Sequence, residues 1–186
     1  MRRITLVLPV LVTALLGTAP PATAASGPGP AAGASAAAES AAQGTRWEPA
    51  PSAPWDVPAG ARCDFPVHGE PVVDEVVRRV LETRPDGSAK RVAYKGDLVI
   101  RVTNQETGAS YDADASGTAV VEYRTDGSQF WTVLGPVLVG VGENGGNLAR
   151  GLYIVDGAYT LEIGPAGYKT VTMAAGTTDD LCARIG

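Results

Sequence analysis

Beyond about residue 60, apolar and polar side chains alternate along most of the chain, which is the period that sends neighbours to opposite faces of a β-strand. Leu98, Ile100 and Val102 share one face, while Val99, Arg101 and Thr103 share the other. Tyr159, Leu161 and Ile163 face away from Ala158, Thr160 and Glu162, and Val171 and Met173 oppose Thr170 and Thr172. Half-buried antiparallel strands carry this pattern. It predicts strands near 71–83, 90–104, 109–116, 118–125, 128–134, 136–141, 150–156, 158–164 and 167–174. Asp86-Gly87, Asp126-Gly127 and Asp156-Gly157 read as hairpin turns, and Glu106-Thr107-Gly108 and Pro165-Ala166-Gly167 mark two more tight connections. Gly117 reads as a bulge or bend within one long strand, and some neighbouring segments read equally as one bent strand.

Hairpin following hairpin predicts an all-β antiparallel meander. Closure into a small β-barrel would remove its edges; a two-sheet β-sandwich is the alternative. One segment competes with this reading. From Val72 to Leu81 apolar pairs recur every four residues, Pro71 suits a helix start, and Asp74–Arg78 and Glu75–Arg79 would pair along a helix. Valine dominates its apolar positions, however, and loses χ1 freedom in a helix, so a strand is expected there. Gly140 to Asn147 contains four glycines and reads as a connector between two sheets rather than a gate over a barrel mouth.

The N-terminus changes the picture of where the domain begins. Arg2 and Arg3 precede an apolar run from Ile4 to Leu16, and Ala22-Thr23-Ala24 fits a cleavage site, so residues 1–24 read as a signal peptide. That run is too short to span a bilayer, and no later stretch is long enough, so a released, extracellular protein is expected. Residues 25–59 are rich in Ala, Gly, Pro and Ser and read as a disordered linker, with Trp47 and Trp55 the exceptions. For these, loose docking of one of them on the domain is weighed against a short recognition motif. The folded β domain is then expected over 60–186. Removing Arg2 and Arg3 from 15 Lys+Arg leaves 13 against 20 Asp+Glu, a net charge of −7. An acidic secreted chain with scattered cations is a poor partner for nucleic acid.

In an exported chain the two cysteines, Cys63 and Cys182, are expected to pair, with two free buried thiols as the alternative. A bridge between them would contribute about 4–5 kcal/mol in the chain-entropy model. Catalytic sets are thin. The one histidine, His68, has no G-x-S-x-G partner and reads as a surface or capping residue. With the cysteines oxidised, zinc lacks ligands. Asp112, Asp114 and Ser116 match the opening of a D-x-D-x-S-G calcium loop, but Tyr123 stands where the twelfth-position acid belongs. The three are therefore a weak calcium candidate, and as a strand they form one polar face. Asp179-Asp180 reads as a helix or turn start. No cofactor is expected.

Three runs, Cys63-Asp64-Phe65-Pro66-Val67, Val102 to Gly108 (a strand ending in T-N-x-x-T-G) and Asp180-Leu181-Cys182-Ala183, resemble a group of small secreted actinobacterial proteins of unknown function with a Cys-bracketed β domain. The resemblance implies a strand after Val67 and a disulfide between the two cysteines, and it carries over no catalytic residue. The acids at Asp112 and Asp114 depart from the group's usual pattern. The function expected is a non-enzymatic binding or interaction module whose partner is an apolar small molecule or a cell-envelope component. An extracellular enzyme using Asp112, Asp114 and Glu122 is the alternative, and a protease inhibitor using the 140–147 loop ranks last.

Overall fold

In the computed structural model, which describes residues 46–186, the alternating segments form twelve strands and one short helix. The strands are β1 (Glu48–Pro49), β2 (Trp55–Val57), β3 (Val67–Asp74), β4 (Val77–Thr83), β5 (Ala89–Lys95), β6 (Leu98–Asn104), β7 (Ser110–Asp114), β8 (Thr118–Tyr123), β9 (Gln129–Leu134), β10 (Val137–Val141), β11 (Gly151–Ile163) and β12 (Lys169–Asp180), and the helix is α1 (Leu181–Ile185). The expected signal peptide and the first part of the expected linker lie outside the described residues. The rest of that linker is ordered: β1 pairs with β4 and β2 with β3. The segment with competing helical and strand signals is extended, as its valines favour, and forms the end of β3 and most of β4.

A line of bends crosses the meander. At Glu75-Val76, at Gly96-Asp97 and at residues 115–117 the chain passes from one sheet to the other, and at Gly135-Pro136 strand β9 gives way to β10. Successive bends touch. Glu75 N–H donates to Asp97 O (2.8 Å), Gly117 N–H to Pro136 O (2.7 Å) and Gly135 N–H to Gly157 O (2.8 Å). Gly157 in turn pairs with Gly176 of β12. The last two have φ of +136° and +142°, and an added Cβ would sit 2.1 Å from Ala175 O or 2.0 Å from Asp156 O, so only glycine fits this crossing. Asp156-Gly157 is therefore a bend inside a 13-residue strand rather than the hairpin its sequence suggests.

The seam decides the architecture. On one side of it the strands lie in the order β1-β4-β5-β8-β9-β11, with β12 along the other edge of β11. On the far side β2-β3-β6-β7 separate into their own sheet, and β7 does not pair with β10. The expected barrel does not close, because β1 and β12 remain separate outer edges; the sandwich alternative fits. The edges are blunted by the shortness of β1 and β2 and by Pro49, Pro51, Pro54 and Pro58 in and around them. The loop over 142–150 joins β10 to β11, neighbours in one sheet rather than members of two. Asn147 fixes it by exchanging hydrogen bonds with Val171 (2.8 and 2.9 Å).

Two apolar clusters follow from the split. One fills the space between the four-stranded sheet and the first half of β11, around Val67, Ile100, Val102, Leu152, Leu181 and Ile185. The other lines the larger sheet around Val121, Val133, Val139, Val155, Tyr159 and Leu161. The Cys63–Cys182 disulfide lies in the first cluster and joins the entry of β3 to α1, with Cα atoms 5.4 Å apart. Asp180 caps α1 by accepting from Cys182 N (2.9 Å), which accords with a helix start at Asp179-Asp180. Asn104, the asparagine of T-N-x-x-T-G, is buried. Its Oδ1 accepts from Glu106 N (2.9 Å) and its Nδ2 donates to Ile185 O (3.1 Å), so one side chain shapes the β6–β7 turn and holds the end of the chain.

The hairpins at Asp86-Gly87 and Asp126-Gly127 share one construction. A three-residue loop ends in a left-handed glycine (φ +83° and +84°), and the aspartate accepts from the amide and hydroxyl of the serine two residues on, Ser88 or Ser128. Those serine bonds hold both carboxyls below the usual carboxylate range.

Three outcomes follow. Gly157→Ala meets both a left-side φ and the Ala175 carbonyl, and should cost about 3 kcal/mol or more. Gly127→Ala, whose Cβ meets open space, should cost about 1–2 kcal/mol; equal urea midpoints for the two variants would contradict the seam. Asn104→Ala should lose about 2–3 kcal/mol in the same assay by orphaning its backbone partners. Because the folded carboxyls of Asp86 and Asp126 titrate below their unfolded value, their stabilisation is complete above about pH 4 and is lost as pH falls through the lowered folded value. The Asp86→Asn, Asp126→Asn double variant should therefore show a shallower fall in Tm between about pH 5 and about pH 2 than the parent.

Candidate functional site

Where the two sheets part, the bends leave a cavity of about 460 Å³. Its floor is built from small residues at alternating positions of one bent strand: Ala115, Gly117 and Ala119 all face it. Larger side chains at Ala115 and Ala119 would take up that space, whereas at Gly117 an added Cβ would strike the Pro136 carbonyl. Leu98 and Ile100 of β6 and Val137 and Leu138 of β10 form opposing walls, one from each side of the split. Tyr94, which sits beside Ala119 through the β5–β8 register, joins Tyr123 and Trp131 as the aromatic wall.

The remaining side is a strap, residues 46–57, laid along the bent β3–β4 edge. Ala50, Ser52 and Trp55 of the strap line the cavity. Trp47 is held between Arg79 and Lys95, whose charged groups lie 4.9 and 4.7 Å from the ring centroid. Ala50 N–H donates to Val76 O (2.9 Å) and Ser52 N–H to the Asp74 carboxylate (2.6 Å). Trp55 lies across Gly69, where an added Cβ would come within 2.2 Å of the indole. Asp56 accepts from His68 Nδ1 and from Gln105, each at 2.9 Å. Both tryptophans therefore dock on the domain, and the lone histidine ties the strap to β3.

Polar groups on the cavity wall are few. The hydroxyls of Tyr94 and Tyr123 meet at 2.8 Å. Burial, and then the bond to Tyr94, push the Tyr123 phenol well above its ordinary pKa, so Tyr123 is uncharged at neutral pH. Trp131 keeps its indole N–H on Gln129 (3.0 Å). Ser52 and Lys95, both exposed, mark the rim.

The acidic candidates are elsewhere. Asp112 forms a two-pronged pair with Arg101 (2.7 and 2.9 Å), and that guanidinium holds its carboxyl below the usual range. Asp114 accepts from Ser116 N (2.9 Å), and Ser116 Oγ accepts from Leu98 N (2.9 Å). Glu122 lies on β8, 3.6 Å from Arg91. Asp112 and Asp114 alternate with the buried Ala113 and Ala115, so they point away from the cavity, and among the described residues no three His, Cys, Asp or Glu side chains gather as a metal site would require. An apolar pocket lined by inward aromatics among Tyr94, Tyr123 and Trp131 was within reach of the sequence, but its position at the parting of two sheets was not. The signal that marks it is the run of small residues Ala115, Gly117 and Ala119 on one face, between strands rich in aromatics. No family model, curated protein or solved structure matches the chain.

Proposed function

We propose that this protein is an exported, non-enzymatic binding module that takes an apolar small molecule into the cavity between the strap and the seam. The carrying observation is the cavity itself. Its walls are aromatic and aliphatic, its volume falls in the range of small-molecule sites, and it has one polar pole and an exposed rim. The disulfide and the signal-like N-terminus support export to an oxidising compartment. Among the described residues no helix is long and apolar enough to cross a membrane. The enzyme reading has less support, because Asp112, Asp114 and Glu122 are committed to neighbouring groups and the two aspartates face away from the cavity.

Filling the floor tests the proposal. The wild-type protein should enhance and bind an apolar fluorescent probe, and native mass spectrometry of protein from culture medium should show a bound mass. The Ala115→Leu, Ala119→Leu double variant should bind the probe at least about tenfold more weakly with Tm unchanged or raised, since the added side chains enter empty space. A clean unliganded mass together with no probe binding by the wild type would overturn it.

A further inference from the structure

The polar pole narrows the class of ligand. Resting on the cavity as a binding site, we propose that its occupant is an uncharged, planar aromatic compound whose carbonyl oxygen accepts a hydrogen bond from the Tyr94–Tyr123 hydroxyl pair.

Tyr94 pairs with Ala119, and Tyr123 lies four residues further along β8, so the two rings reach across the Val92–Val121 pair to meet. Two hydroxyls sharing one hydrogen bond use one proton between them and leave the second as a donor. Among the described residues, no other group lies within hydrogen-bonding distance of either phenol oxygen. In a wall that is otherwise apolar, that donor gains most from an acceptor delivered by the ligand.

The charge of the ligand follows from the same surroundings. Burial keeps Tyr123 protonated, so the pole donates and does not present a phenolate to a cation. Two cations come near: Arg78, opposite Tyr94 in the β4–β5 register and acting on Tyr123, is half-exposed and faces Glu48 (3.8 Å), while Lys95 sits at the rim over the Trp47 ring. A carboxylate inside would therefore exchange its hydration for one neutral phenol donor, or compete with Glu48 for Arg78, and an ammonium group would meet aromatic faces but no carboxylate among the lining residues. Shape points the same way. Ala115, Gly117 and Ala119 leave a floor without projecting side chains, and Trp131 and Tyr94 flank it with rings, which suits a flat aromatic skeleton.

Three probes of one skeleton separate the outcomes: isopropylnaphthalene, acetonaphthone and naphthoate, titrated by calorimetry against the full chain. Acetonaphthone should bind about tenfold more tightly than the hydrocarbon, as one net hydrogen bond predicts. Naphthoate should bind more weakly than either. In the Tyr94→Phe, Tyr123→Phe double variant the ketone should fall to the affinity of the hydrocarbon, whose own affinity stays unchanged. In the wild type, independently of any variant, the bound ketone's carbonyl infrared band should move to lower frequency. Equal affinities of ketone and hydrocarbon would overturn the assignment of the pole while leaving the cavity as a site. Tightest binding of naphthoate would overturn the uncharged class. Binding of none of the three would remove the cavity reading itself.

Discussion

The split of the sheets, the two-part core and the cavity all depend on the seam of bends that runs across the strands. A strand that bends at mid-length can keep its neighbour on one side of the bend and lose it on the other. Here β8 and β9 stay paired, while their continuations, β7 before the bend and β10 after it, part company. The seam is dense in glycine because neighbouring backbones approach where a Cβ would strike a carbonyl, most severely at Gly157 and Gly176. The clash is with backbone atoms, which cannot rotate out of the way as a flexible side chain can.

The same split supplies the core, the cavity and the need for a cover. Two faces that diverge from one line enclose a wedge. Its wide part is filled by α1 and the disulfide-centred cluster, and its narrow part, near the bends, retains the cavity. The open flank lies along β3 and β4, and the strap closes it with short paired segments, a tryptophan between two cations and a carboxylate that receives both His68 and Gln105. The disulfide connects the chain just after the strap to the helix that ends the domain, so the cover and the core plug are tied near one point.

Much of the strand inventory was legible in the sequence because period-2 alternation is a local property. The hairpins at Asp86-Gly87 and Asp126-Gly127 were equally readable, since each aspartate and serine satisfies the turn from within five residues. Asp156-Gly157 carries the same dipeptide yet bends a strand. It lacks the serine that follows the other two, and its neighbour across the sheet is another glycine, which only the pairing of β11 with β12 brings there. The T-N-x-x-T-G run was visible as a motif, but the buried role of Asn104 depends on Ile185, 81 residues away.

Alternation and composition alone dictated that this chain forms antiparallel strands, where most of them turn, and which two sulfur atoms are available to bridge. These follow from interactions within a few residues or from the presence of a single cysteine pair. Whether the meander closes or splits, which strands face one another, and where space is left unfilled were decided only in the tertiary structure. Alternation states that a side chain faces inward; it does not state what stands opposite. The cavity and its phenol pair belong to that second kind of information, because they arise from β5, β6, β8, β9, β10 and the strap meeting at one line of bends.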